Sequence, residues 1–174
     1  MKRIELRDGK PFTGKTVSKN GQTKYYVNGL LHREDGPAFI SAKRTRVTWR
    51  KNGKVHRIGG PAIESKHGYK EWRVDGVLHR DDGPAVESSD GSKQWWINGK
   101  LHREGGPAYV KYIFNGTIEE WYRHGKLHRD EGPALIGYNG QKSWALNGIK
   151  YETEQEWEIT KRAIKLERFF EDEQ

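Results

Sequence analysis

The peptide His-Arg-x-x-Gly-Pro-Ala occurs five times in this 174-residue chain, starting at His32, His56, His79, His102 and His128. An imidazole beside a guanidinium, with a carboxylate next in line in most copies, suggests acid–base catalysis, metal ligation or anion contact. Metal ligation fails on spacing. Successive histidines are 24, 23, 23 and 26 residues apart, which places equivalent residues two strands, roughly 9–10 Å, apart. Zinc ligands stand about 2 Å from their ion, so a ladder of single histidines is not a site. Catalysis fails on multiplicity. His79, Arg80 and Asp81 form a polar trio, but so do His32-Arg33-Glu34 and His128-Arg129-Asp130. A catalytic group needs a singular pocket and a tuned pKa. The chain has no Gly-x-Ser-x-Gly, no Walker loop and no cysteine. We therefore expect no catalytic residue, no metal and no cofactor. Each His is expected to fill a slot beside a hairpin, and each Arg to tie down a corner carbonyl or the adjacent acid.

The elements that position these groups are short strands. Gln94-Trp95-Trp96-Ile97 is aromatic and β-branched, and Asn98-Gly99 behind it is a strong hairpin signal. Lys100 to Arg103 is a short return segment, and Pro107 breaks it because proline has no N–H to donate. Five of the six prolines occupy this corner. An aromatic stands three residues before each turn: Tyr25, Trp49, Trp72, Trp95, Trp121 and, in a decayed sixth unit, Trp144. A period near 23 residues is the signature of an array. Two linkers break the rule, residues 41–48 without Asn-Gly and residues 111–120 with three extra residues; insertions in arrays map to loops. At the end, Thr153 and Glu156 have capping-box spacing. Ile159, Ala163, Leu166 and Phe170 follow at helical intervals. This predicts a helix over about 154–170 whose apolar stripe closes the last repeat. Residues 3–12 are expected to cap the other end as an irregular strand pair.

Units reading Trp-x-x-Asn-Gly-Lys-x-His resemble MORN-type repeats. The sequences from Trp95 to Ala108 and from Trp121 to Ala134 are similar to the variant known from tailed-bacteriophage and some bacterial proteins. The resemblance implies side-by-side β-hairpins that serve as scaffolds and binding surfaces. The expected fold is all-β: an elongated, twisted antiparallel meander of repeated hairpins with a C-terminal capping α-helix. Residues 1–24 are read as N-terminal cap strands, 25–150 as repeats and 151–174 as the capping helix, one structural domain in all. Arg50-Lys51, Ile58 and His124 depart from the motif and put local turn geometry in question.

Composition bounds the function. A mean hydropathy of −1.03 is poor for a two-layer core, while seven Trp and eight Tyr argue against disorder. A thin sheet buried mainly by aromatics reconciles the two, and the aromatic stripe is expected to form the core. No membrane span or signal core is visible, and the absence of cysteine fits the cytoplasm, the host's if the chain is phage-encoded. Eight acidic residues face four basic ones from Glu152 onward, so the total of +8 leaves a body of about +12. Such a body suits acidic partners.

By strand alternation, the residues after the stripe take its opposite face. They are Tyr26, Arg50, Arg73, Trp96 and Tyr122, a mixed aromatic and arginine row expected to bind a partner. Trp, Tyr and Arg dominate protein interfaces, so a protein partner is the first expectation. Nucleic acid or a nucleotide, stacked on the rings and held by cations, is the alternative. The chain is expected to be a monomer or a dimer paired through sheet edges.

Overall fold

The computed structural model describes residues 4–171, and side chains as far as Glu167. The described chain is all-β, apart from one 3-10 turn and a single C-terminal helix, Glu154–Glu171. It forms two compact units, Met1–Gly91 with Trp96–Gly99 and Ser92–Trp95 with Lys100–Gln174.

In the first unit an antiparallel ladder runs through Gly14–Val17, Thr23–Val27, Phe39–Ile40, Arg46–Thr48, Ile63–Ser65, Lys70–Glu71 and Val86–Glu87. In the second it runs through Lys93–Gln94, Tyr109–Ile113, Gly116–Glu120, Leu135–Ile136, Lys142–Leu146 and Ile149–Tyr151. Small hairpins branch from these ladders, such as Arg73–Val74 with Val77–Leu78 and Tyr122–Arg123 with Lys126–Leu127. The repeat therefore supplies four short strands instead of the two its turn spacing suggests.

The branch point is the aromatic residue. Trp72 donates its N–H to Ala85 O at 2.8 Å, within the ladder, and its C=O accepts from His79 N at 3.2 Å, within the hairpin. The same pair of bonds recurs at Tyr25, Trp49, Trp95 and Trp121. Pairing Trp72 O with His79 N also fixes a strict two-residue turn. Both turn residues take positive φ, as a type I′ turn requires: Asp75 at 49° and Gly76 at 89°. His124 substitutes for asparagine at φ 51° without changing the turn. Asn, Asp and His are the side chains that tolerate this region best.

Burial corrects one expectation. The aromatics of the stripe are half-buried, and among the described residues the hydrophobic ones at 0% exposure are Ala38, Ala62, Ala85, Ala108 and Ala134 of the corners, with Ala145 beyond them. Register sets each alanine beside the next aromatic, since Phe39 pairs Thr48 just before Ala38 and Trp49 meet. A large ring thus lies beside a small side chain at every step, and no sizeable side chain has room to enter the row.

At the N-terminus, Glu5 bridges Pro11 and Ile4 donates to Gly29 O at 3.0 Å, an irregular strand pair on the first hairpin turn. Arg3 lies outside the described residues. At the C-terminus, Thr153 Oγ1 accepts from Glu156 N at 3.2 Å, and Glu156 Oε2 accepts from Glu152 N at 3.2 Å. The box forms, with its return bond one residue earlier than the usual one. The stripe is different from the expected one. Trp157 is 1% exposed and Ile164 is half-buried, whereas Ile159 and Leu166 are 61% and 59% exposed. The buried face is centred on Trp157, because a single indole buries more area than an isoleucine and a leucine can at the helix edge. The Phe170 side chain lies outside the described residues.

Candidate functional site

The five repeated imidazoles share one geometry. Each Nδ1 accepts a backbone N–H from the next unit's turn: Asn52 at 3.1 Å, Asp75 at 3.1 Å, Asn98 at 3.2 Å, His124 at 3.2 Å and Asn147 at 3.0 Å. An N–H donor needs a lone pair at Nδ1, so in the neutral rings of His79, His102 and His128 the proton is on Nε2. Nδ1 of His32 and His56 also faces a side-chain oxygen, Asn52 Oδ1 at 2.9 Å and Asp75 Oδ1 at 3.2 Å. The Nε2 atom faces the acid two residues on: Glu34 at 2.9 Å, Asp81 at 3.3 Å, Glu104 at 3.3 Å and Asp130 at 3.1 Å. His56 lacks this acid because Ile58 takes its place. A general base needs a lone pair open to substrate, and here the lone pair already holds the next hairpin. Among the described residues no three His, Asp or Glu side chains are grouped to hold a metal ion.

The repeated arginines are equally committed. The guanidinium carbon lies 4.2 Å from the ring centre of Tyr25 for Arg33, and 3.9–4.0 Å from Trp49, Trp72, Trp95 and Trp121 for Arg57, Arg80, Arg103 and Arg129. Each such contact contributes about 0.5–2 kcal/mol. Arg57, Arg80, Arg103 and Arg129 also donate Nη1 to the corner proline carbonyl at 3.0–3.2 Å. Arg33 and Arg80 each donate Nε to an acid, Asp35 at 2.8 Å and Asp82 at 2.7 Å. Those hydrogen bonds hold both carboxyls below the usual aspartate range. The corner glycine is what lets the guanidinium lie flat. A Cβ at Gly36, Gly60, Gly83 or Gly106 would stand 2.9–3.0 Å from the guanidinium carbon.

The row expected to bind a partner is half-buried along its whole length. Arg50 donates Nη1 to Gly53 O at 2.7 Å, and burial lowers its pKa. Arg73 donates Nε to Glu71 at 2.5 Å and Nη1 to Gly76 O at 2.8 Å. Both arginines therefore brace their own hairpin turns. Tyr26 packs edge-on against Phe12 at 5.8 Å. Tyr122 packs on Leu127, Ala134 and Ala145, and donates its hydroxyl to Glu120 at 2.7 Å. Trp96 is half-buried like the rest. The bonds from Arg50 and Arg73 back to their own turn carbonyls have no signature in residue periodicity.

The exposed aromatics lie elsewhere. The long linker at residues 111–120 extends a five-residue pair, Tyr109–Ile113 with Gly116–Glu120, and carries Phe114 at its tip, 101% exposed. Tyr112 is 45% exposed on the same hairpin. Tyr138, 54% exposed, sits in the next turn, where a Cβ on Gly116 would meet its Cβ at 3.5 Å. The three extra residues were the available signal. The other irregular linker turns through Lys43 and Arg44 at φ 59° and 54°, pinned by Ser41 Oγ accepting from Arg46 N at 2.8 Å, and leaves Lys43, Arg44 and Arg46 exposed.

No family model matches the chain, and none of the curated proteins is detectably similar to it. No helix among the described residues is long and apolar enough to cross a membrane.

Proposed function

We infer that this chain is a non-catalytic repeat binding protein, a phage-type accessory protein that engages a host or phage protein in the cytoplasm. The observation that carries the reading is the separation of roles along the chain. The repeated His are spent on holding one repeat to the next and the repeated Arg on bracing their own corner, while the fully exposed Phe114 stands on the hairpin that departs from the repeat. The likeness of the units to MORN-type arrays, which act as scaffolds, supports it. Aromatic side chains with few rotatable bonds are the usual anchors of protein interfaces, and Phe114, Tyr112 and Tyr138 offer three in adjacent turns of the second unit. Tyr26, Arg50, Arg73, Trp96 and Tyr122 then act by fixing hairpin shape, with only their outer edges available to a partner. A photo-crosslinking phenylalanine analogue at position 114 should give a discrete adduct with a host or phage protein. An adduct from the same analogue at Leu166 but none at 114 would refute the assignment.

A second reading, nucleic-acid binding, is favoured by the exposed Lys43, Arg44 and Arg46 on the strained loop of the first unit. It requires affinity that falls steeply with added salt. A gel-shift titration without retardation at low salt would remove it.

A further inference from the structure

The last repeat corner differs from the others because the C-terminal helix stands beside it. A 190 Å³ pocket lies between them, lined by His128 and Asp130 on one side and by Lys161 and Lys165 on the other. The His128 side chain is 6% exposed there, against 13–22% for His32, His56, His79 and His102. Its Nδ1 accepts from Asn147 N at 3.0 Å, so Nε2 carries the proton. That Nε2 is 3.1 Å from Asp130 Oδ1 but lacks hydrogen-bond alignment with it, and no other atom accepts from it. The buried donor therefore has only a poorly aligned carboxylate as its partner, one that Arg123 also engages, a costly arrangement in a closed corner.

Charge at the pocket is one-sided. Asp130 is already engaged by Arg123, which donates Nη2 to it at 2.6 Å. Lys161 reaches Glu158 only at 3.6 Å, and Lys165 has no ion pair among the described residues. Lys161 also lies 4.5 Å from the Trp157 ring centre. The three cations Arg123, Lys161 and Lys165 thus outnumber the carboxylates Asp130 and Glu158 by one, the unpaired Lys165. The remaining wall is apolar, from Leu146 and Ile164. A buried N–H donor, two cations and an apolar wall match an acceptor that is anionic at one end and apolar at the other.

We propose that this pocket binds a small organic anion, a carboxylate or phosphate headgroup on a short apolar body. The headgroup accepts from His128 Nε2 and pairs with Lys165 and Lys161, while the body lies on Leu146 and Ile164. The site is singular because only this corner faces the helix, and it is independent of the Phe114 surface. The test is an amide NMR titration of the full chain with benzoate, phenyl phosphate and the neutral benzyl alcohol. One of the two anions should shift the Asn147 and Leu146 amides saturably, benzoate marking a carboxylate site and phenyl phosphate a phosphate site, with benzyl alcohol inert. Lys165→Glu, on an exposed helix position, should weaken that anion by at least about tenfold with an unchanged thermal melt. Silence of both anions, equal shifts from benzyl alcohol, or undiminished affinity in folded Lys165→Glu would overturn the proposal.

Discussion

The Arg103 guanidinium carbon lies 3.9 Å from the centre of the Trp95 ring, and a Cβ at Gly106 would stand 3.0 Å from that same carbon. Gly106 does not take a positive φ, so its need for glycine is steric. Gly106→Ala should therefore destabilise the chain by about 1–3 kcal/mol, read as a lower urea midpoint. Adding Arg103→Ala should relieve the clash, so that the double variant loses less than the sum of the two singles. Strict additivity would show that the guanidinium does not occupy the space against Gly106.

The imidazole links predict a second effect. In His79→Ala the Asn98 N–H loses its acceptor, now at 3.2 Å. The turn is exposed and water can replace the ring in part, so the loss should be about 1 kcal/mol. Hydrogen exchange at the Asn98 amide should quicken more than at amides of the ladder.

Two phenols give a pH signature. Burial, reinforced by hydrogen bonds to Glu71 and Glu120, pushes Tyr69 and Tyr122 up to about 12. Both ionise near ~10 in an unfolded chain, so the folded state holds these protons more tightly. Their contribution to stability is complete below ~10 and is lost as pH rises through about 12. Tyrosinate absorbance should show a late phase in the folded protein, and Tyr122→Phe should remove part of it.

Trp157 anchors the helix, being 1% exposed with its Nε1 unpartnered. Trp157→Ala should cost about 3–5 kcal/mol and reduce the helical circular dichroism signal. Loss of Ile159 or Leu166 by the same substitution should be nearly neutral, the reverse of what their spacing in the sequence suggests.

These contrasts show what the residues disclose and what they conceal. The array, its turns and its Gly-Pro corners were legible because the type I′ turn and the missing proline N–H impose residue types directly. The roles of His and Arg were legible because a copied side chain that lies far from its equivalents has only local partners. The core was misjudged because size suggests that Trp is buried, while here Arg33, Arg57, Arg80, Arg103 and Arg129 cover the rings and alanines fill the interior. The Arg50 and Arg73 side chains were expected at a partner surface, but carbonyls three residues ahead, at Gly53 and Gly76, capture them. Such a local bond depends on how tightly the hairpin curls, which strand alternation does not report. The pocket beside His128 depends on where the helix packs, and the helix turns Trp157 inward instead of the stripe through Ile159.

The most direct test of the binding account is a pull-down from host lysate with the intact chain and a folded Tyr112→Ala, Phe114→Ala variant, each with and without nuclease treatment. The account predicts a discrete protein retained by the intact chain in both lysates and lost by the variant. Retention by the variant equal to that of the intact chain, or capture abolished by nuclease alone, would contradict it.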